Sequence, residues 1–282
     1  RFVRMVRMGD DRFAVAVADA SSRIMAGSKN GVCTCQGGVN AAGLQVAFAG
    51  MAQAFEDGSP VLCITDGIPA GETENSQFDV TSSIKSVSKW YGYVDKPERL
   101  PEFMRRAFTM LRTGRPGPVI IALPESGGEY EERADPYQPV KGWKSQPDPA
   151  DVATAVELLG EARHPLVYAG EGVIYADAAA ELKAFVELAK LPVITTLKAK
   201  GAFPEDHPLY VGVRGDQTIE YLEKSDLILA IGSSLSPGRF SHRIPAAADK
   251  TIIHVNISEL DLNRIFPTAH ALIGDEIGRA HV

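Results

Sequence analysis

The sequence predicts an α/β protein built as two doubly wound, parallel-sheet domains joined by a Pro/Gly/charged linker. Three observations carry this. Short β-rich runs, mostly apolar at successive positions, alternate from end to end with helical stripes, as in parallel sheets covered on both faces. The alternation stops once, across a stretch without apolar period, and then restarts. The length of 282 residues suits two domains of roughly 100–200 residues each.

The β-rich runs lie at 31–35, 61–65, 119–123, 166–169, 193–196, 227–231 and 252–257. Between them, apolar residues recur at helical spacing: Phe13, Val17, Ala20 and Ile24; then Leu44, Ala47, Phe48, Met51 and Phe55; then Phe103, Met104, Ala107, Phe108 and Leu111. Past the interruption, Val152, Val156 and Leu159, and later Leu182, Phe185, Val186 and Ala189, repeat the pattern. Residues 125–149 carry Pro136, Pro139, Pro147 and Pro149 among Gly, Glu and Lys, which favours an extended linker. The expected domains are therefore 1–124 and 150–282.

Composition excludes several classes. A hydrophobic share of 45% and a charged share of 23% are ordinary globular values. A net charge of −7 makes nucleic acid a poor partner. No stretch approaches the roughly 20 apolar residues of a membrane helix, so no membrane partner is expected. Three cysteines are too few for a disulfide framework, and with no signal-peptide pattern the expected compartment is the cytoplasm. Cys33 and Cys35 read as small core residues on one face of a strand, and the six histidines stand at no ligand spacing, so no metal site is expected.

Ligands of open α/β sheets sit beyond the carboxyl ends of the strands. Gln36-Gly37-Gly38-Val39-Asn40-Ala41-Ala42-Gly43 follows the first run, where glycines and a helix start offer either a ligand cradle or a tight turn. A polar loop after the second run holds Glu72, Glu74 and Asp79, a carboxylate set or a solvated loop. Gly170-Glu171-Gly172 begins a dinucleotide fingerprint, but Tyr175 stands where its third glycine belongs. Neither a G-x-S-x-G elbow nor a G-x-x-x-x-G-K-[ST] loop occurs.

Several segments together resemble thiamine-diphosphate-dependent enzymes of the acetolactate synthase and 2-oxo acid decarboxylase type. They are Gly31-Val32-Cys33-Thr34, Ala52-Gln53-Ala54-Phe55-Glu56-Asp57-Gly58-Ser59-Pro60-Val61, Ile84 to Trp90, and Gly114-Arg115-Pro116-Gly117-Pro118-Val119. The second half adds His164 to Gly172, Lys200-Gly201 and Ser225 to Gly232, in the order of that family's central domain. The resemblance implies a pyrimidine-binding domain followed by the central domain. The family's diphosphate-binding Gly-Asp-Gly motif is not found, which is the expectation of a fragment or a shortened variant.

The resemblance further implies thiamine diphosphate with Mg²⁺ as cofactor, a 2-oxo acid substrate, and a homo-oligomer formed through the first domain, with the helix at 44–55 as part of the interface. One family glutamate hydrogen-bonds N1′ of the aminopyrimidine, and the cofactor then acts as electron sink. Ala14, Ala18, Asp19 and Arg23 fit the helix that follows this glutamate, which places Asp11 at its position. Aspartate is shorter by about 1.5 Å. Asp10 or Asp11 equally suits a helix N-cap, and Asp11 is the one expected to cap. Gly38, Asn40 and Gln77 fall on the pyrimidine side, and Gly170, Gly172, Arg214 and Gly232 where flavin-binding relatives contact FAD or ADP. Competing expectations are a non-catalytic nucleotide-binding or assembly protein of the same fold, and a hydrolase using Glu72, Glu74 and Asp79.

Overall fold

The computed structural model describes residues 5–26, 28–37, 42–67, 79–124, 128–129, 136–236 and 243–275. It divides into two compact units, residues 1–143 and 144–282. Of the linker expected at 125–149, residues 125–127 and 130–135 lie outside the described residues. Within its remainder, Arg112 of the first unit donates to the Val140 carbonyl at 2.5 Å. In the second unit Asp148 starts a helix, its Oδ1 accepting from Ala150 N–H at 2.8 Å with Pro149 behind it.

The first unit runs α1 (Asp11–Ile24), β1 (Gly31–Cys35), α2 (Ala42–Glu56), β2 (Val61–Gly67), α3 (Val80–Lys85), β3 (Trp90–Tyr93), α4 (Leu100–Arg112) and β4 (Val119–Pro124). Its sheet is parallel in the order β1-β2-β4-β3. One face packs Cys33, Cys63 and Ile120 against Val15 of α1 and Leu44, Ala47 and Met51 of α2. The other packs Leu62, Val119 and Ile121 against Ala107 and Leu111 of α4.

Helix α1 turns a different face inward than its apolar stripe suggests. Val15, Ala18 and Ser22 are buried, whereas Phe13, Val17 and Ile24 are 59%, 51% and 80% exposed. The cause is close backbone approach. A Cβ on Gly31 would lie 1.9 Å from the Ala18 carbonyl oxygen, so only small side chains fit between α1 and β1. Ser22 closes the joint. Its fully buried hydroxyl accepts from Gly31 N–H at 2.7 Å and donates to the Pro60 carbonyl at 2.6 Å. Arg23 then bridges Asp19, at 2.9 Å, and Asp57 just past α2, at 2.8 Å.

The second unit runs α5 (Pro149–Glu161), β5 (Pro165–Ala169), α6 (Gly172–Tyr175), α7 (Ala179–Ala189), β6 (Val193–Thr195), β7 (Tyr210–Gly212), α8 (Asp216–Lys224), β8 (Leu227–Ile231), β9 (Thr251–Asn256) and β10 (His270–Ile273). The sheet is parallel in the order β10-β9-β8-β5-β6-β7. Every residue of β8 is buried. Val167, Leu229 and Val255 meet Leu182 and Val186 of α7 on one face, and Leu166, Ile228 and Ile252 meet Leu222 of α8 on the other. In α5 the buried residue is Ala155, and Val156 of the expected stripe is 61% exposed.

Removing the Ser22 hydroxyl strands two buried backbone groups. Ser22→Ala is expected to cost about 1–3 kcal/mol in urea denaturation. Gly160→Ala is the counter-case: among the described residues no atom lies within 4 Å of the added Cβ near the end of α5, and stability should rise by about 0.5 kcal/mol.

Candidate active site

The α1–β1 joint brings the start of α1 to the carboxyl end of β1. Asp10 is the N-cap, with extended backbone and its Oδ1 accepting from Arg12 N–H at 2.8 Å. Asp11, expected to cap, does not. Its Oδ1 leaves the helix and accepts from Gln36 N–H at 3.0 Å, just past β1. The adjacent Asp10 already fills the capping role, which leaves Asp11 directed at the strand end. Asp11 is half-buried, and among the described residues its Oδ2 makes no hydrogen bond and its carboxylate no ion pair. Gln36 also accepts from Leu44 N–H at 3.0 Å, tying the same point to the first turn of α2. Three elements thus converge on Gln36, beside the glycine turn.

Gly38, Asn40 and Gln77 lie outside the described residues, as do Glu72 and Glu74. Asp79 is described and works as the N-cap of α3. Its carboxylate accepts from Ser82 N–H at 2.9 Å and from the Ser82 hydroxyl, and those bonds hold its pKa below the usual carboxylate value. That occupation removes Asp79 from the carboxylate set a hydrolase would need.

In the second unit the glycine candidates are structural. Gly170 N–H donates to the Ile231 carbonyl at 2.8 Å, Gly172 N–H to that of Gly232 at 2.9 Å, and Gly232 N–H to that of Val255 at 2.9 Å. A Cβ on Gly170 would stand 2.2 Å from the Gly232 carbonyl oxygen. These glycines let strand ends meet, and their N–H groups already donate to neighbouring strand ends. The Ser233 carbonyl beyond them accepts from Asn256 Nδ2 at 3.1 Å and pairs with His254 Nε2 at 2.7 Å. Burial lowers the His254 pKa, although the Ser233 bond opposes it. Arg214 is placed differently. It is exposed on the turn from β7 into α8, and Thr218 in the first turn of α8 has a buried hydroxyl without a hydrogen-bond partner among the described residues.

The expectation of no metal ligands misses one grouping. The Sγ atoms of Cys33, Cys35 and Cys63 all lie within 4.8 Å of one another, because β2 sets Cys63 opposite Cys33 in the parallel register. Spacing along the chain shows the first two and hides the third.

Two parallel-sheet α/β units, each with helices packed on both faces of its sheet, define a protein of the doubly wound α/β class. A solved structure of a protein provisionally assigned as a thiamin diphosphate-dependent enzyme, isolated from Mycobacterium smegmatis, shares the fold at a TM-score of 0.75. It is 21% identical and is matched over 96% of this chain and 53% of its own. Residues 1–87 match the thiamine pyrophosphate enzyme N-terminal TPP binding domain, and residues 152–277 match the central domain of the same enzymes. The chain belongs to the thiamine pyrophosphate enzyme family. An acetolactate synthase large subunit, provisionally so named, of Methanocaldococcus jannaschii is 34% identical over 94% of this chain and 46% of its own length. The glyoxylate carboligase of Escherichia coli O157:H7 is 33% identical over 92% and 45% respectively. The chain spans about half the length of the curated relatives it matches. No helix among the described residues is long and apolar enough to cross a membrane.

The two neighbouring aspartates should separate cleanly. Asp10→Ala is expected to lower unfolding stability by about 1 kcal/mol through loss of the cap. Asp11→Asn keeps an acceptor for Gln36 N–H and should stay within about 0.5 kcal/mol of the parent in the same denaturation experiment.

Proposed function

We propose that the chain forms part of a thiamine-diphosphate-dependent decarboxylase or carboligase acting on 2-oxo acids, with Asp11 as the carboxylate that engages the cofactor's aminopyrimidine. The observation that carries this is the Asp11 carboxylate, turned away from its own helix to the end of β1 with one oxygen held by Gln36 N–H. The residues present fit the group: Oδ2 can accept a hydrogen bond from a protonated ring nitrogen, and the Gln36 N–H fixes the direction of the carboxylate. Bound thiamine diphosphate, with Mg²⁺ on its diphosphate, supplies an electron sink for cleavage or formation of the bond next to a carbonyl. Asp11 holds a proton at N1′ of the aminopyrimidine, and α1, locked on β1 through Ser22, keeps it in place. The names of the relatives support the substrate class and a cytoplasmic enzyme agrees with three free, buried cysteines.

A homo-oligomer belongs to the same proposal. Phe13, Val17 and Ile24 of α1, with Phe48 and Phe55 of α2, put apolar side chains on the surface of the first unit. FAD or ADP in the second unit would sit at the turn before α8, beside Arg214 and Thr218, since the N–H groups of Gly170, Gly172 and Gly232 are taken.

Exchange of the thiazolium C2 proton into D₂O, followed by NMR on the gene product that carries this sequence, tests the role of Asp11. Asp11→Asn should slow it by about a hundredfold while thiamine diphosphate remains bound. An unchanged exchange rate in Asp11→Asn would overturn the assignment. For assembly, sedimentation should show self-association that Phe13→Asp with Val17→Asp reduces; a concentration-independent monomer would refute the interface.

A further inference from the structure

The three cysteines of the chain are spread over thirty positions, yet they meet at one point in the first unit. Cys33 and Cys35 take two successive inward positions of β1, and Cys63 takes the facing position of β2. All three are buried and free. We propose that Cys33, Cys35 and Cys63 form a three-sulfur site for a soft monovalent cation, copper(I).

Geometry supports it first. With metal–sulfur bonds of about 2.3 Å, three sulfurs around one ion stand about 4 Å apart. The thiols are already grouped within 4.8 Å on two hydrogen-bonded strands, so little backbone movement is needed. Cys33 Sγ is directed at β2, where its thiol donates to the Leu62 carbonyl at 3.8 Å.

The surroundings select the ion. Among the described residues no fourth His, Cys, Asp or Glu joins the group, as a closed tetrahedral zinc site requires. The same core cluster contributes Val15, Ala47, Met51 and Ile84, which offer no polar partner for the water of an open zinc site. Thiolate and thioether sulfur select copper(I), which accepts two or three ligands. Binding involves no redox change. Copper enters as copper(I), and each copper–sulfur bond that forms releases that thiol's proton to solvent.

The test is an anaerobic titration of the full chain with copper(I) against the chromogenic chelator bicinchoninate. One copper(I) per chain should be retained, with a sulfur-only shell in X-ray absorption. Cys33→Ala and Cys35→Ala should each weaken retention by at least about tenfold while circular dichroism stays native. Cys63 is fully buried, so Cys63→Val serves as a β-compatible third variant, and the two β1 variants decide the matter if it does not fold. Complete loss of copper to the chelator, equal retention by a folded Cys33→Ala/Cys35→Ala variant, or Zn²⁺ held at the same sulfurs in preference to copper(I) would overturn the proposal.

Discussion

A single buried hydroxyl organises the first unit. Ser22 joins the start of β1, through Gly31 N–H, to the residue before β2, through the Pro60 carbonyl, and it can do so only because α1 lies against β1 with no side chain at Gly31. A hydroxyl that both donates and accepts satisfies two backbone groups which would otherwise be buried unpaired. The Arg23 bridges to Asp19 and Asp57 add the end of α2 to the same joint. Everything at the carboxyl end of β1 inherits its position from this contact: Asp11 reaches Gln36, and Gln36 reaches α2.

Strands inside the sheets were legible in the sequence because burial on both faces leaves continuous apolar runs, as in β8. The strands missed are β3, β7 and β10, and each lies at an edge of its sheet. An edge strand needs apolar residues on fewer sides, so Trp90-Tyr91-Gly92-Tyr93 and His270-Ala271-Leu272-Ile273 carry no such run. The misjudged face of α1 has the opposite cause. Periodicity weighs large residues most, and here the large ones face away while alanine, valine and serine make the contact.

The candidate site was legible only in part. The resemblance pointed to Asp11 through Ala14, Ala18, Asp19 and Arg23, but the division of labour between Asp10 and Asp11 depends on backbone conformation at the helix start. For the glycines of the second unit, the sequence does not reveal what each N–H will meet. Gly170 and Gly232 proved to be the means by which β5 and β8 end side by side.

The fit of α1 on β1 also governs how this sequence can drift over time. The outer positions Phe13, Val17 and Ile24 are free of steric demand from the sheet, and any restraint on them must come from outside the unit. Gly31 faces the reverse condition, since an added methyl group would meet the Ala18 backbone, and Ala18 and Ser22 of α1 are buried against it. The fold itself should therefore hold the small residues of α1 constant, and the large ones only as far as the surface they form with another copy demands.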